Sequence, residues 1–274
     1  SYDPIKRRYM NSICFRPSSK NLSSNFGAAY KRLVKLEVSL QERKSDYGID
    51  FVSCYDTEIQ KLVKNSIVRV VPGPPDNNSY YLPHKDVTLL NEDGCTIKKM
   101  RPVFDASATC RNKLSLNAVI RDCPNNLPPI SDLLMKFRCH EYGFCADIVG
   151  FYHQIELDDH SAKFVRFLWR NCSSSAPTVY EFRRNAFGEK AAGYRSIETV
   201  SFHARKYLDL YPEEADLLLH RRFSDDLSYS TPSEEQLISV YLNTKTILKE
   251  GGFTISKIAT NSARLRAMIP AEDL

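Results

Sequence analysis

The order of elements after Gly143 constrains this chain more than any other feature. The stretch GFCADIV (143–149) reads as a short apolar strand. KFVRFLW and VYEFRR form a hairpin across the loop NCSSSAPT, and a long helix follows over about 189–208. LLLHRRFS and DLSYS then read as a strand pair, TPSEEQ opens another helix, and FTISK is a final strand. With the hairpin set aside, the pattern is βαββαβ, the split ferredoxin-like unit, in which the first strand and the strand pair are neighbours.

Three acids fall at special places in that pattern. Asp225 and Asp226 are adjacent, in RRFSDDLSYS, between flanking apolar stretches. Taken alone they fit a solvated Asp-Asp turn, since Asp favours turns. Asp147, however, lies late in the apolar strand GFCADIV, where burying an unpaired charge costs several kcal/mol, on the order of 3–5. The topology brings all three acids to one edge of the sheet. Their mutual repulsion points to cations between them, and two magnesium ions suit such a cluster. Tyr152 follows five residues after Asp147. It reads either as simple packing or as the floor of a sugar pocket.

The earlier part of the chain reads as follows. Residues 1–26 are polar and look like an extended lead-in, and GAAYKRLVKLEVSLQER (27–43) has helical apolar spacing. Asp56 is a candidate cap for a second helix, DTEIQKLVKNS, and SIVRVVP reads as a strand. YYLPHKDVTLL and TIKKMRPVFDAS are two strands joined through NEDG. Ser131 is expected to cap a short helix carrying Leu133, Leu134 and Phe137. Thr231 is expected to cap the helix that stops at Gly251–Gly252.

Charge is divided unevenly. Residues 1–113 hold 19 Lys/Arg and 12 Asp/Glu, net +7, and the remainder holds 19 and 21, net −2. A basic part beside an acidic part suits a phosphate-binding surface next to a metal-binding one, and equally a solvated surface. The eight cysteines form no CxxC pair and no zinc-ligand grouping with histidine. They are expected to be reduced, mostly buried thiols of an intracellular protein. No apolar run approaches the roughly 18 residues of a membrane helix, so no membrane partner is expected. The N-terminus lacks a signal-peptide core and an initiator Met, which suggests a segment cut from a longer chain.

ADIVGFYHQI, then NAFGEKAAG, then FSDDL resemble the successive palm motifs of reverse transcriptases. RPVFDAS (101–107) resembles their fingers motif, and GGFTISK (251–257) their later palm motif. YLPHKDV, RPVFDASA, SLNAVI and GGFTISKIATNSARLRAMIP narrow the resemblance to the BEL/Pao class of LTR retrotransposons, over roughly residues 25–274. Single motifs such as SDD are weak signals; the ordered set is strong.

The resemblance implies an α+β fold, the right-hand polymerase fold, with fingers, a ferredoxin-like βαββαβ palm sheet and the thumb absent. It implies a lead-in over 1–25, fingers over 26–122 and 155–190, and palm over 123–154 and 191–274. Its implied function is RNA-directed DNA synthesis, with dNTPs added to a DNA primer on an RNA or DNA template. Asp147 and Asp225 would be the main metal ligands, Asp226 would complete the cluster, and the Ile148 carbonyl would be a further ligand for two Mg²⁺ ions, with Mn²⁺ able to substitute. Tyr152 resembles the steric gate against a ribose 2′-OH, which disfavours an RNA-copying RNA polymerase. Arg101 matches the arginine that holds incoming phosphates, and Lys98 and Lys99 are alternative candidates for the fingers lysine. A solvated strand end explains that KKMR cluster equally. Phe187 and Gly188 match the motif beside nucleotide and template. Lys257 resembles the proton donor to pyrophosphate, and a core-flanking lysine is the alternative reading of it.

Two positions depart from the family pattern: Ser224 precedes the paired acids, and Gly193 stands where many relatives have proline. The implied partners are RNA template, DNA primer, dNTPs, and the thumb and RNase H domains of a parent polyprotein. The implied location is intracellular, in cytoplasmic virus-like particles. The competing reading is a non-catalytic nucleic-acid-binding scaffold derived from such an element.

Overall fold

The computed structural model describes residues 1–173 and 175–274, with the side chains of residues 45 and 46 left aside. Ser174, in the loop NCSSSAPT, lies outside the described residues.

The segment expected to be an extended lead-in contains an antiparallel pair, β1 (Tyr2–Asp3) and β2 (Arg8–Asn11). The first long helix, α1 (Phe26–Tyr47), ends at Gly48, whose left-handed φ of 69° suits glycine. Next comes α2 (Phe51–Lys64), which starts earlier than expected. Its cap is Asp50, whose carboxylate accepts from the Ser53 N–H at 3.2 Å. Asp56 instead lies within α2 and accepts from the Trp169 indole N–H at 2.8 Å.

The chain continues through β3 (Val68–Val71), β4 (His84–Leu90), β5 (Ile97–Phe104) and α3 (Leu116–Val119). Then comes α4 (Ile130–Phe137), entered through Pro129, with Ser131 inside the helix rather than capping it. β6 (Tyr142–Ile148), β7 (Glu156–Leu157), α5 (Asp159–Ala162), β8 (Arg166–Trp169) and β9 (Thr178–Phe182) follow.

α6 (Ala192–Ala204) is shorter than the expected helix. The first half of the run expected as the first strand of the pair is helical. Pro212 and the acids Glu213 and Glu214 open α7 (Pro212–His220), which buries Ala215, Leu217 and Leu218. Only β10 (Arg222–Phe223) remains to pair with β11 (Asp226–Thr231). α8 (Glu234–Glu250) is capped by Ser233, whose hydroxyl accepts from the Gln236 N–H at 3.3 Å. The Thr231 hydroxyl binds the Gln236 side chain instead, at 2.5 Å. β12 (Ile255–Thr260) and α9 (Ala263–Met268) complete the chain.

The chain divides into two compact units. The first comprises Ser1–Met10, Cys123–Ile155 and Gly193–Leu274. Its sheet has the order β10-β11-β6-β12, with antiparallel neighbours. Alternation sends Phe144, Ala146, Ile148, Leu227 and Tyr229 to one face, against Val200, Leu217, Leu218, Leu237 and Leu248 of the helices. Each Phe, Leu, Ile or Val among them contributes about 1.5–3 kcal/mol by leaving water. This buried face fixes the register, because a one-residue slip would put the apolar set in water and the acids in the core.

The second unit comprises Asn11–Asp122 and Glu156–Ala192. It holds a β3-β9-β8 sheet and a β4-β5 ribbon. Tyr55, His84, Phe104, Phe167, Trp169 and Phe182 form an aromatic core.

None of the eight cysteines is in a disulfide, but only Cys110 is buried, and Cys14, Cys95 and Cys139 are exposed. The expectation of mostly buried thiols fails because most of these residues sit in loops and on solvent-facing strand positions. No helix of the described residues is long and apolar enough to cross a membrane.

Candidate active site

In the first unit, Asp226 opens β11 directly opposite Asp147 of β6. The face rule that buries Leu227 and Ala146 puts Asp226 and Asp147 together on the opposite face. Asp225 occupies the two-residue turn between β10 and β11, after Ser224, whose φ is +58°. The Asp225 carbonyl accepts from the Ile148 N–H at 2.9 Å, which ties the turn to the end of β6.

Lys257 reaches the same face from β12. Between Ser256 and Ala259 the pairing with β6 shifts by one extra residue. The shift buries both Ile255 and Ile258, three residues apart, and leaves Lys257 with a left-handed φ of 51°. The Lys257 Nζ then lies 3.0 Å from Asp147 Oδ2. The Asp226 carboxyl is raised above its usual range, first by partial burial, then by Asp225 and Asp147, with Lys257 acting the other way. Asp147 and Asp226 border an open groove of about 570 Å³, whose walls include Ile130, Leu134 and Phe223.

Tyr152 lies on a 3₁₀ turn, Phe151–Gln154, just past β6. Its phenol is raised by burial and by the Asp225 charge, and the neighbouring Ser224 side chain lowers it. Arg222 is a residue the sequence reading missed. It is only 3% exposed. Its Nη1 donates to the Ser224 carbonyl, its Nη2 to the Ile197 carbonyl and its Nε to the Leu218 carbonyl, each at 2.7 Å. Burial lowers its pKa to about 10, against the pull of Glu198 and Asp225. Its only sequence signal is an arginine in an apolar strand next to the acids.

In the second unit, Arg101 pairs with Val87, and Lys99 with Leu89. Lys99 and Arg101 therefore share one exposed face of the ribbon, while Lys98 is the extra residue of a bulge. Phe187 is 43% exposed. Gly188 has φ +89°, and a Cβ there would lie 2.1 Å from the Phe104 carbonyl oxygen, so only glycine fits. The predicted site residues thus form two groups, one within each unit.

Carboxylates on facing strand positions are the kind of group that binds a hard divalent cation, and Asp226 is raised first by burial and then by its two acidic neighbours. Among the described residues no three His, Cys, Asp or Glu side chains are gathered as a ready-made metal centre. Lys257 supplies the counter-charge to Asp147 instead.

No family model matches the chain. It is 28% identical over 183 residues, 66% of its length, to the Retrovirus-related Pol polyprotein from transposon 412 of Drosophila melanogaster. The match spans 12% of that polyprotein. The structure is similar to that of the foamy viral protease-reverse transcriptase dRH in complex with ds DNA, with a TM-score of 0.53 and 16% identity. That match covers 74% of this chain and 31% of the viral one. The chain has the right-hand fold of reverse transcriptases. The two likenesses also bear out the resemblance to retrotransposon reverse transcriptases. Within that fold, the acids lie on the solvent-facing side of the βαββαβ sheet.

Proposed function

We propose that the chain is the fingers and palm portion of an RNA-directed DNA polymerase from an LTR retrotransposon of the BEL/Pao class. The first unit is read as palm and the second as fingers. The observation that carries the reading is the facing pair Asp147–Asp226, with Asp225 on the adjoining turn.

The reaction is nucleotidyl transfer. The primer 3′-oxygen bonds to the α-phosphorus of a dNTP, the α–β phosphoanhydride bond breaks, and pyrophosphate leaves. Asp147, Asp225, Asp226 and the Ile148 carbonyl are the groups that would hold two Mg²⁺ ions. When bound, such ions acidify the primer hydroxyl and neutralise charge on the triphosphate. Arg101 and Lys99 bind the triphosphate, Arg101 with a planar fork suited to two phosphate oxygens. Lys98 stays in reserve for that role. Tyr152 excludes a 2′-OH by bulk. Phe187 and Gly188 line the nucleotide and template, the glycine allowing close approach. Lys257 donates a proton to the departing pyrophosphate. Basic residues of the fingers hold template and primer backbones with little regard to sequence. The reading implies work within cytoplasmic virus-like particles, beside thumb and RNase H domains of a parent polyprotein.

Primer extension on an RNA template with dNTPs and Mg²⁺ or Mn²⁺ tests this. It is run on this chain, on a longer polyprotein segment containing it, and on Asp225→Asn/Asp226→Asn forms of both. Metal-dependent extension that the substitutions abolish is expected. Extension that survives them overturns the site. Duplex binding without extension by either length favours the scaffold reading instead.

A further inference from the structure

The two departures from the family pattern, Ser224 and Gly193, meet the same side chain. The Ser224 side chain stands close enough to the Tyr152 phenol to lower its pKa, as a hydrogen-bonding neighbour does. On the other side, a Cβ added at Gly193 would lie 3.3 Å from the Tyr152 hydroxyl and 3.6 Å from its Cε1. A larger residue there, proline included, would crowd the ring.

Both sides are anchored. Ser224 sits in a left-handed turn conformation, and its carbonyl accepts from the buried Arg222. The same guanidinium reaches the Ile197 carbonyl of α6, the helix that carries Gly193 in its first turn. The Tyr152 ring also rests against the hydrophobic core and packs edge-on to Phe151, 5.8 Å between centroids. Ser224 as an ordinary turn residue, and Gly193 as an ordinary helix-start residue, would leave their shared contact to chance.

We propose that Ser224 and Gly193 form a two-sided socket that fixes the Tyr152 ring, and that this socket sets how strongly ribonucleotides are rejected. The inference rests on the polymerase reading for its substrate. It makes Ser224 and Gly193 positioning residues that act through Tyr152. A ring held only by packing can tilt away from an incoming sugar. One held by a hydrogen bond and a close backbone cannot.

The test is a pair of double-mutant cycles, Ser224→Ala and Gly193→Ala, each in the wild-type and Tyr152→Phe backgrounds. The first readout is the ratio of kcat/KM for a dNTP to that for the matching rNTP. Ser224→Ala is expected to lower that ratio about two- to tenfold, the scale of one hydrogen bond, and to lose that effect once the Tyr152 hydroxyl is gone. Gly193→Ala is expected to change the ratio as well, and by less in the Tyr152→Phe background, where the 3.3 Å contact is absent. Equal effects in both backgrounds, or dNTP and rNTP efficiencies falling together, would overturn the proposal. The second readout is the melting temperature of the same variants, which needs no activity. Non-additive shifts support the socket and additive ones refute it. A wild-type protein that incorporates neither nucleotide fails the polymerase reading, and the melting cycles still decide the socket.

Discussion

Asp147 and Asp226 face each other across β6 and β11, so two carboxylates share one face of the sheet. Like charges placed directly opposite destabilise a strand pair. Burial and the two neighbouring acids hold the Asp226 carboxyl above its ordinary 3.8. An acid raised on folding adds stability below its unfolded value and loses it as pH rises through the folded one. At neutral pH the Asp226 charge is therefore a net cost. Asp226→Asn should raise Tm in EDTA at pH 7 by about 1–2 °C. On the proposed metal role, wild type should gain stability from Mg²⁺ and the variant should forgo much of that gain. Calorimetry with and without EDTA measures both, and a lower Tm for the variant in EDTA would sink the argument.

Lys257 offers a separation of charge from backbone. Its ion pair with Asp147 is largely exposed on the lysine side, so it is worth at most about 1 kcal/mol and is screened by salt. Its left-handed φ carries a cost of its own. Lys257→Met removes the ion pair and keeps the strain, while Lys257→Gly removes both. The glycine variant should be the more stable of the two in urea at high salt. The reverse order would show that the bulge relaxes without strain.

Asp50 and Asp56 exchange the roles their sequence positions suggest. Asp50→Ala removes a helix cap and should cost about 1 kcal/mol. Asp56→Ala strips the partner from the indole N–H of Trp169, whose side chain is 1% exposed. That should cost about 1–3 kcal/mol. As Trp169 is the single tryptophan, its native emission should shift with Asp56→Ala and stay fixed with Asp50→Ala. An Asp56→Ala spectrum identical to wild type would disprove the contact.

The placing of 143–149 beside the strand pair, the pairing of 84–90 with 97–104 and the neighbouring of the three acids were legible because alternation and turn residues are local signals. The LLLH part of LLLHRRFS misled because an apolar run fits a buried strand or a helix equally. Pro212, Glu213 and Glu214 carried the deciding helix-start signal. Capping misread Asp56, Thr231 and Ser131, since several polar residues near each start can serve and packing selects one. Arg222 was illegible. Beside the Ser201 hydroxyl, its partners are carbonyls of Leu218, Ser224 and Ile197, and main-chain acceptors leave no mark on the sequence. The contact of Gly193 with Tyr152 was hidden for a similar reason, because a glycine shows room without showing what fills it.

His84 predicts a pH dependence for the second unit. Its Nε2 lies 2.8 Å from the Leu168 carbonyl, an acceptor only, so Nε2 carries the hydrogen and Nδ1 accepts from the Tyr55 hydroxyl at 2.5 Å. Complete burial lowers its pKa from 6.5 to about 4. A histidine depressed on folding contributes stability that is full above its unfolded value and is lost as pH falls toward the folded one. The unit should therefore lose on the order of 3 kcal/mol between pH 6.5 and 4. Urea unfolding across that range measures the loss, and ¹⁵N NMR should show the ring still neutral at pH 5. A titration midpoint near 6.5 would refute it.

Gly188 gives the sharpest steric prediction. Its φ of +89° already excludes most side chains, and a Cβ would stand 2.1 Å from the Phe104 carbonyl oxygen. That oxygen belongs to main chain at the end of β5, so it cannot swing aside like a flexible side chain. Gly188→Ala must therefore move either the Ala186–Gly188 turn or the end of the β4-β5 ribbon. The expected cost is more than about 2 kcal/mol, combining left-handed strain with a displaced backbone. The loss should localise to the second unit, as faster amide exchange around Phe104–Ala106, while exchange in β6 and β11 stays at wild-type rates. Unchanged stability with unchanged exchange at Phe104 would show that Gly188 does not press on that strand.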